Sequence, residues 1–457
     1  MRTSLVIAAL LAVSPAALAA DLKVGKGKQF TTIQAAVAAA QDGDRILVGP
    51  GVYRENVTLS GVSNVQLIGK GAVWDGHTGG GYGDCLSGTA NGILVQGFRF
   101  RHGSDHVVIA GNGGRITKCV SRGAGSTAFA VSGSGWRIDA CQVVGASSSS
   151  IEVDGANAIV EGNRIRNGDG GAIYVNGASA RVAKNSIRTI EDDIGVDVSG
   201  DDAVVEANAI WNTDDENIYV SGNRARVVAN KCSYTSDGPG ITVEGDSMEV
   251  ASNTVVAAAE GGLELTGDAV SVHDNVVNMT TEGEPGIRLS ARSSSGGGTL
   301  ARNVVSDTTD WGFDLESSNL TLSGNSALRC GPGYAGGFHV VGVSNTVESC
   351  VAASSRATGF LIEGDGAIVT NSSATGGSGD GFRISGSAPQ LTNLTATGNG
   401  GEGLDNRGVS TRAQGCTLAG NRIDVACDVG NGASFDGGLA GNTFTTGGPT
   451  TAPEIDN

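Results

Sequence analysis

Ile151-Glu152-Val153-Asp154-Gly155 is followed 22 residues on by Ile173-Tyr174-Val175-Asn176-Gly177, then by Val196-Asp197-Val198-Ser199-Gly200 and Ile218-Tyr219-Val220-Ser221-Gly222. Each phrase has the form apolar-x-apolar-x-Gly. The series runs back through Phe129 to Val107 and forward through Ile241, Leu263, Ile287, Phe313, Phe338, Phe360 and Phe382 to Leu404. The step is 22 or 23 residues, stretched to 24–26 between Leu263 and Phe338. A second series keeps the same period on Asn: Asn163, Asn185, Asn208, Asn230, Asn253, Asn275, Asn303, Asn325, Asn371 and Asn393. At the same phase stand Lys118, Ala140, Ser349 and Gly415. Two series sharing one period define a structural repeat.

Within a unit the apolar residues alternate, which marks short strands rather than helices. No unit can bury its inner face alone. Stacking places each strand beside its equivalent in the next coil, in parallel, about 4.8 Å away. The expected fold is therefore all-β, a solenoid of about 15 coils with aliphatic columns inside. The Asn series reads as a structural ladder, since Asn tolerates left-handed turns and stacked amides can bond along the rod. The glycines read as corners.

Composition agrees. Gly accounts for 74 of 457 residues, Pro for only 8, and aromatics for 4%, while hydrophobic residues reach 39%. That is enough apolar material for a core, punctuated by many tight corners. The first residues are set apart: one charge, Arg2, precedes the apolar run Leu5–Val13, and Ala17-Leu18-Ala19 has the small-x-small pattern of a signal cleavage site. A secretory signal over 1–20 and a secreted or periplasmic location are expected. No later run is apolar enough to cross a membrane. The net charge of −17, with no Lys/Arg cluster along the sequence, argues against nucleic acid as a partner.

An open solenoid end needs a cover. Phe30–Ala40 carries one apolar face, Ile33, Ala36, Val37 and Ala40, and is stopped by Asp42-Gly43-Asp44. A short capping helix is expected there, then a strand over Arg45–Val48. The domain plan is 21–70 for the cap helix and first coil, 71–444 for the repeats, and 445–457 for a Gly/Thr/Pro-rich flexible tail.

Thr32-Ile33-Gln34-Ala35-Ala36-Val37, Asp42-Gly43-Asp44-Arg45-Ile46-Leu47-Val48 and Pro50-Gly51-Val52-Tyr53-Arg54-Glu55-Asn56-Val57 resemble the N-terminal coil of the pectate-lyase-like right-handed parallel β-helix superfamily. The later coils resemble its generic repeats, so the likeness spans roughly 28 to 445. It implies a right-handed parallel β-helix. It does not select an activity, because the superfamily holds polysaccharide lyases, glycoside hydrolases, esterases, epimerases and proteins with no known catalysis. Asn212-Thr213-Asp214 and Glu191-Asp192-Asp193 resemble the first two catalytic motifs of polygalacturonases, but in reversed order and without Gly-His-Gly or Arg-Ile-Lys. That activity is not carried over.

In each apolar-x-apolar strand the middle side chain points outward. These positions form one row, including Tyr174, Asp197 and Tyr219 in the middle coils. Turns just before the row add Asp192, Asp193, Asp214, Asp215 and Asp237. Tyr174 and Tyr219 are candidate platforms for sugar rings flanking Asp197. Asp192, Asp193, Asp214 and Asp215 are candidate catalytic carboxylates, because paired acids carry out glycoside hydrolysis and crowding raises one pKa. Asp193, Asp215 and Asp237 are a candidate calcium set. Arg288 falls between Glu264 and Asp314 and reads as a salt-bridged ladder; His339 reads as a lone exposed residue. Cys119 and Cys141, equal in phase on adjacent coils, are a candidate disulfide; Cys330–Cys350 and Cys416–Cys427 are further pairs.

The expected function is binding of an extended polysaccharide along the outward row by an exported monomer, extending to polysaccharide lyase or glycoside hydrolase chemistry. Its rivals are a non-catalytic surface or matrix protein and a periplasmic accessory protein.

Overall fold

The computed structural model describes residues 19–79 and 81–427, with short strands at Ser434–Phe435 and Thr443–Phe444. Most of the expected signal segment (1–18) and the expected tail (445–457) lie outside the described residues.

Each coil contributes three strands, as in Arg181–Ala183, Ser186–Ile190 and Val196–Ser199. Each strand pairs in parallel with its equivalent one coil on: Arg181 with Val204, Ile187 with Ile210, Val196 with Ile218. Three parallel sheets thus run the length of the rod around one core. Val182, Ile187 and Val196 are fully buried, each above an aliphatic equivalent. In the C-terminal half the third sheet's column is aromatic: Phe313, Phe338, Phe360 and Phe382 stack at 4.6, 4.6 and 4.8 Å with nearly parallel planes. The strand spacing imposes that ring spacing.

The rod has about 18 coils rather than 15. The difference lies before Val107, where coils do not keep the Gly-terminated phrase. Asp21–Val24, Arg45–Val48 and Gln66–Gly69 are successive rungs of the first sheet, so a strand precedes the cap helix. Pairing continues from Gln66–Ile68 to Leu94–Gln96 without a break at residue 70.

The capping helix spans Ile33–Ala39 and buries Ile33, Ala36 and Val37 over the first coils. The Thr32 hydroxyl accepts from the Ala35 N–H, and the Glu55 carboxylate accepts the N–H groups of Ile33 and Gln34, both at 2.9 Å. These partners satisfy the free donors that open any helix.

The Asn ladder is real, but its phase and its reason differ from expectation. Asn163 through Asn325 are buried, and from Asn163 to Asn303 each side-chain amide donates to the next Asn Oδ1 and to a carbonyl of the coil below, as Asn208 does to Asn230 (3.0 Å) and Val182 (2.9 Å). The left-handed position is the residue before: Lys118, Ala140, Lys184, Ala207 and Ala229 all have φ near +55°. Ser349, Asn371 and Asn393 belong to that left-handed column, not to the ladder. Cys141 stands in the ladder column below Asn163, and Cys350 above Asn325.

That placement overturns the expected disulfide. Cys119 and Cys141 are buried free thiols. Each Sγ bonds a carbonyl two residues earlier, Thr117 at 3.4 Å and Asp139 at 3.3 Å. In-register parallel neighbours point their Cβ atoms side by side, a strand spacing apart, whereas a disulfide needs them to converge. Cys330 and Cys350 are likewise unbridged. The Cys427 side chain lies outside the described residues.

Candidate functional site

The outward row of the third sheet is confirmed rung by rung. Glu152 stands beside Tyr174, Tyr174 beside Asp197, Asp197 beside Tyr219 and Tyr219 beside Thr242. It continues through Glu264, Arg288, Asp314 and His339.

Asp197 is its most unusual member. It is partly buried between two tyrosines, and its Oδ1 has no hydrogen-bond partner. Burial, then the nearby charge of Asp193, pushes its carboxyl up to about 6. Burial and the charge of Asp197 also raise the Tyr174 phenol. Tyr219 rises through burial, then Glu244 and Asp197. The three side chains therefore form one electrostatically coupled patch.

The turn acids separate into different roles. Asp193 is tied to backbone: its Oδ2 accepts the Gly171 N–H at 3.1 Å and its Oδ1 the Ile194 N–H at 2.7 Å. Asp192 joins the turn ladder through its N–H to the Asp169 carbonyl, and the Asp214 carbonyl accepts the Asp237 N–H. Asp215 is raised by burial and by Asp193, Asp214 and Asp237. Asn212 is the left-handed corner (φ +61°), and the Thr213 hydroxyl donates to the Asp215 carbonyl. The stretch that resembles a catalytic motif thus shapes a turn.

The calcium set is corrected. Asp193 and Asp215 do not join Asp237; its carboxylate instead comes within 4.8 Å of Glu260 and Glu282 from the following coils, all exposed. Asp215 stands in register with Asp237, two residues past the Thr213–Thr235 pair, yet the carboxylates that close on Asp237 are those of the two coils beyond it, and Asp193 is tied to the backbone of its own turn and of Gly171. The other such group among the described residues, Asp380, Glu402 and Asp405, is neutralised by Arg383, Arg422 and Arg407.

Two residues make contacts that their place in the sequence did not disclose. Glu216, three residues before Tyr219, leans onto the row and accepts from the Thr242 hydroxyl at 3.4 Å, its carboxyl raised by burial. His339 is not alone. Its Nδ1 lies 2.8 Å from Asp314, its Nε2 3.3 Å from Glu363, and its ring stacks on Trp311 at 5.2 Å. Arg288 does form the expected ladder, 4.0 Å from Glu264 and 3.8 Å from Asp314, and adds Glu284 at 2.5 Å.

A family model described as a right-handed β-helix region matches residues 105–255. This chain is a right-handed parallel β-helix protein. Residues 270–447 also match a model described as a periplasmic copper-binding protein (NosD). Solved structures similar to the β-helix include a periplasmic alginate epimerase (11% identity, 74% of this chain and 77% of that one, TM-score 0.39). An alginate lyase complexed with a trisaccharide is 12% identical over 88% and 86% (TM-score 0.38). An exopolygalacturonase from Thermotoga maritima is 10% identical over 64% and 86% (TM-score 0.38). These are likenesses of fold. No curated protein matches the chain. No helix among the described residues is long and apolar enough to cross a membrane.

The described residues do not gather the nitrogen and sulfur ligands that copper favours into one group. Among the described residues the groups of three able to hold an ion consist of carboxylates alone. Such oxygen sets suit calcium or magnesium, whereas copper selects imidazole, thiolate or thioether. His273 and His339 are each held by acids, and Cys330 and Cys350 are buried in the core.

Proposed function

We propose that this protein is an exported polysaccharide-binding β-helix whose ligand lies along the outward row of the third sheet. The carrying observation is Asp197: a partly buried carboxyl with an unpartnered oxygen, set in register between two tyrosines. The fold leaves that oxygen unsatisfied, and a buried acceptor without a donor costs about 1–3 kcal/mol. Sugar hydroxyls supply such donors, and tyrosine rings supply apolar faces for sugar C–H surfaces. A parallel sheet repeats its outward positions at a fixed rise, which suits a polymer.

A lyase or hydrolase reading rests on the same carboxyl, because a group titrating near 6 can give or take a proton at neutral pH. Asp215 and Glu216 would be its partners. Calcium, if bound, would sit at Asp237, Glu260 and Glu282.

Purified protein is titrated with neutral and uronate oligosaccharides by calorimetry, with and without calcium, and each mixture is assayed for turnover. Asp197→Ala and Tyr219→Ala should each weaken binding about tenfold, the value of one well-made hydrogen bond or stacking contact. Binding of no glycan, or unchanged affinity in both variants, would leave the non-catalytic scaffold as the better account. Turnover abolished by Asp197→Ala would establish the catalytic form.

A further inference from the structure

The arginines of this chain are treated differently on different faces. On the first sheet Arg115, Arg137 and Arg181 alternate with Asp139, Glu161 and Glu206 in a continuous ion-pair ladder. On the second sheet Arg164, Arg166 and Arg188 converge, with no acidic partner among the described residues. Arg166 stands directly beside Arg188 across the strand pair. All three are exposed.

Like charges opposed across a strand pair destabilise a sheet. The chain carries 47 acidic residues against 30 basic ones, so partners were plentiful. Asp169 and Glu191 follow Arg166 and Arg188 by three residues, yet form no ion pair with them. The fold therefore gains nothing from this arrangement.

The patch is also shaped. Gln142, Val144, Arg164, Arg166, Ser186 and Arg188 line a groove of about 490 Å³ along the rod. One rung past Arg188 stands Trp211, 46% exposed, with Tyr234 edge-on to it at 5.9 Å. Two aromatic rings held in water beside three free guanidiniums make a surface that is costly in itself and complementary to a ligand both anionic and ring-bearing. Guanidinium forks bind carboxylate and sulfate alike. Exposed tryptophan offers a flat platform.

We propose that this groove is a binding site for an anionic polysaccharide strand, its carboxylate or sulfate groups held by Arg164, Arg166 and Arg188 and a sugar ring stacked on Trp211. The site lies on a different sheet from Asp197 and stands whether or not that row binds glycan.

Binding of the full chain is measured against a polyuronate, a sulfated polysaccharide, an uncharged polysaccharide of similar length and single-stranded DNA, at low and at about tenfold higher salt. Wild type should bind the polyuronate or the sulfated polymer and not the uncharged one, with affinity falling steeply as salt rises. The two acidic polymers separate carboxylate from sulfate recognition. Arg166→Gln/Arg188→Gln should weaken that binding by about tenfold or more. Trp211→Ala should weaken binding of the acidic glycan, and by the same factor in the wild-type and the Asp197→Ala backgrounds. The melting temperature of the double arginine variant should equal or exceed wild type, because a repulsion has been removed. Equal binding of the uncharged polymer, tighter binding of DNA, or unaltered affinity in the arginine variant would each overturn the proposal.

Discussion

Asp197 shows how one residue can be destabilising by placement. Its carboxyl titrates near 6 in the folded protein, above the ordinary value of 3.8. The folded state therefore holds the proton more tightly than the unfolded chain. Stability is fullest below the unfolded value and declines as pH rises through the window between 3.8 and about 6, then levels off. Asp197→Asn removes the charge and keeps the shape. At pH 7 it should stabilise by about 1 kcal/mol, less than the full shift implies because the carboxyl retains contact with water. At pH 4 the gain should vanish. Chemical denaturation at the two pH values checks this; equal effects at both would mean that the charge is not the cause. The same substitution separates roles, since it abolishes any proton transfer while leaving a hydrogen-bonding group for a ligand.

At the scale of elements, the turn between the first and second sheets carries the strain and its compensation together. Non-glycine residues in the left-handed region, such as Ala207 and Ala229, are unfavourable on their own. The neighbouring Asn offsets this by satisfying several buried groups at once. Asn208 Oδ1 accepts both the backbone and side-chain N–H of Asn185, at 2.9 and 3.0 Å, while its amide reaches Asn230 and Val182. Asn208→Ala strands donors on Asn185 and the Val182 carbonyl, and should cost about 3 kcal/mol by urea unfolding. Asn393→Ala, in the exposed left-handed column, should cost less than about 1 kcal/mol. A reversed order would refute the ladder account. Glycines at the far corner answer to contact rather than strain alone: a Cβ on Gly245 would lie 2.0 Å from the Gly222 carbonyl oxygen. Only the stacked coil creates that clash.

Over the whole molecule, each coil touches only its neighbours, so stability is close to a sum of coil and interface contributions. The ends are then the exposed points. The helix Ile33–Ala39 covers the N-terminal one, anchored by Glu55 from the coil it protects. Removing residues up to 44 would uncover the unpaired edge of Arg45–Val48 and the apolar surface beneath the helix. The truncated chain should self-associate in a concentration-dependent way by sedimentation, and more strongly than the full chain. A truncated chain that associates no more than the full chain and is equally stable would show that the helix is not a cap.

The sequence by itself determined the period, the strands, the inward columns and the outward row from Glu152 to His339, because a two-residue alternation inside a fixed repeat leaves one register that buries the apolar set. The cap helix was legible for the same reason, through its apolar face. Tertiary structure decided the rest, and the cause is common to each case. Whether Asp193 faces ligand or its own turn, whether Cys119 and Cys141 converge, and which carboxylates meet Asp237 depend on side-chain direction at a turn, which periodicity does not encode. The guanidiniums of Arg166 and Arg188 are 22 residues apart in the chain and adjacent in the sheet. A basic patch assembled across coils has no trace as a run of charge. Only winding the chain into a rod brings it together and leaves it without the acids that pair with Arg115, Arg137 and Arg181 on the first sheet.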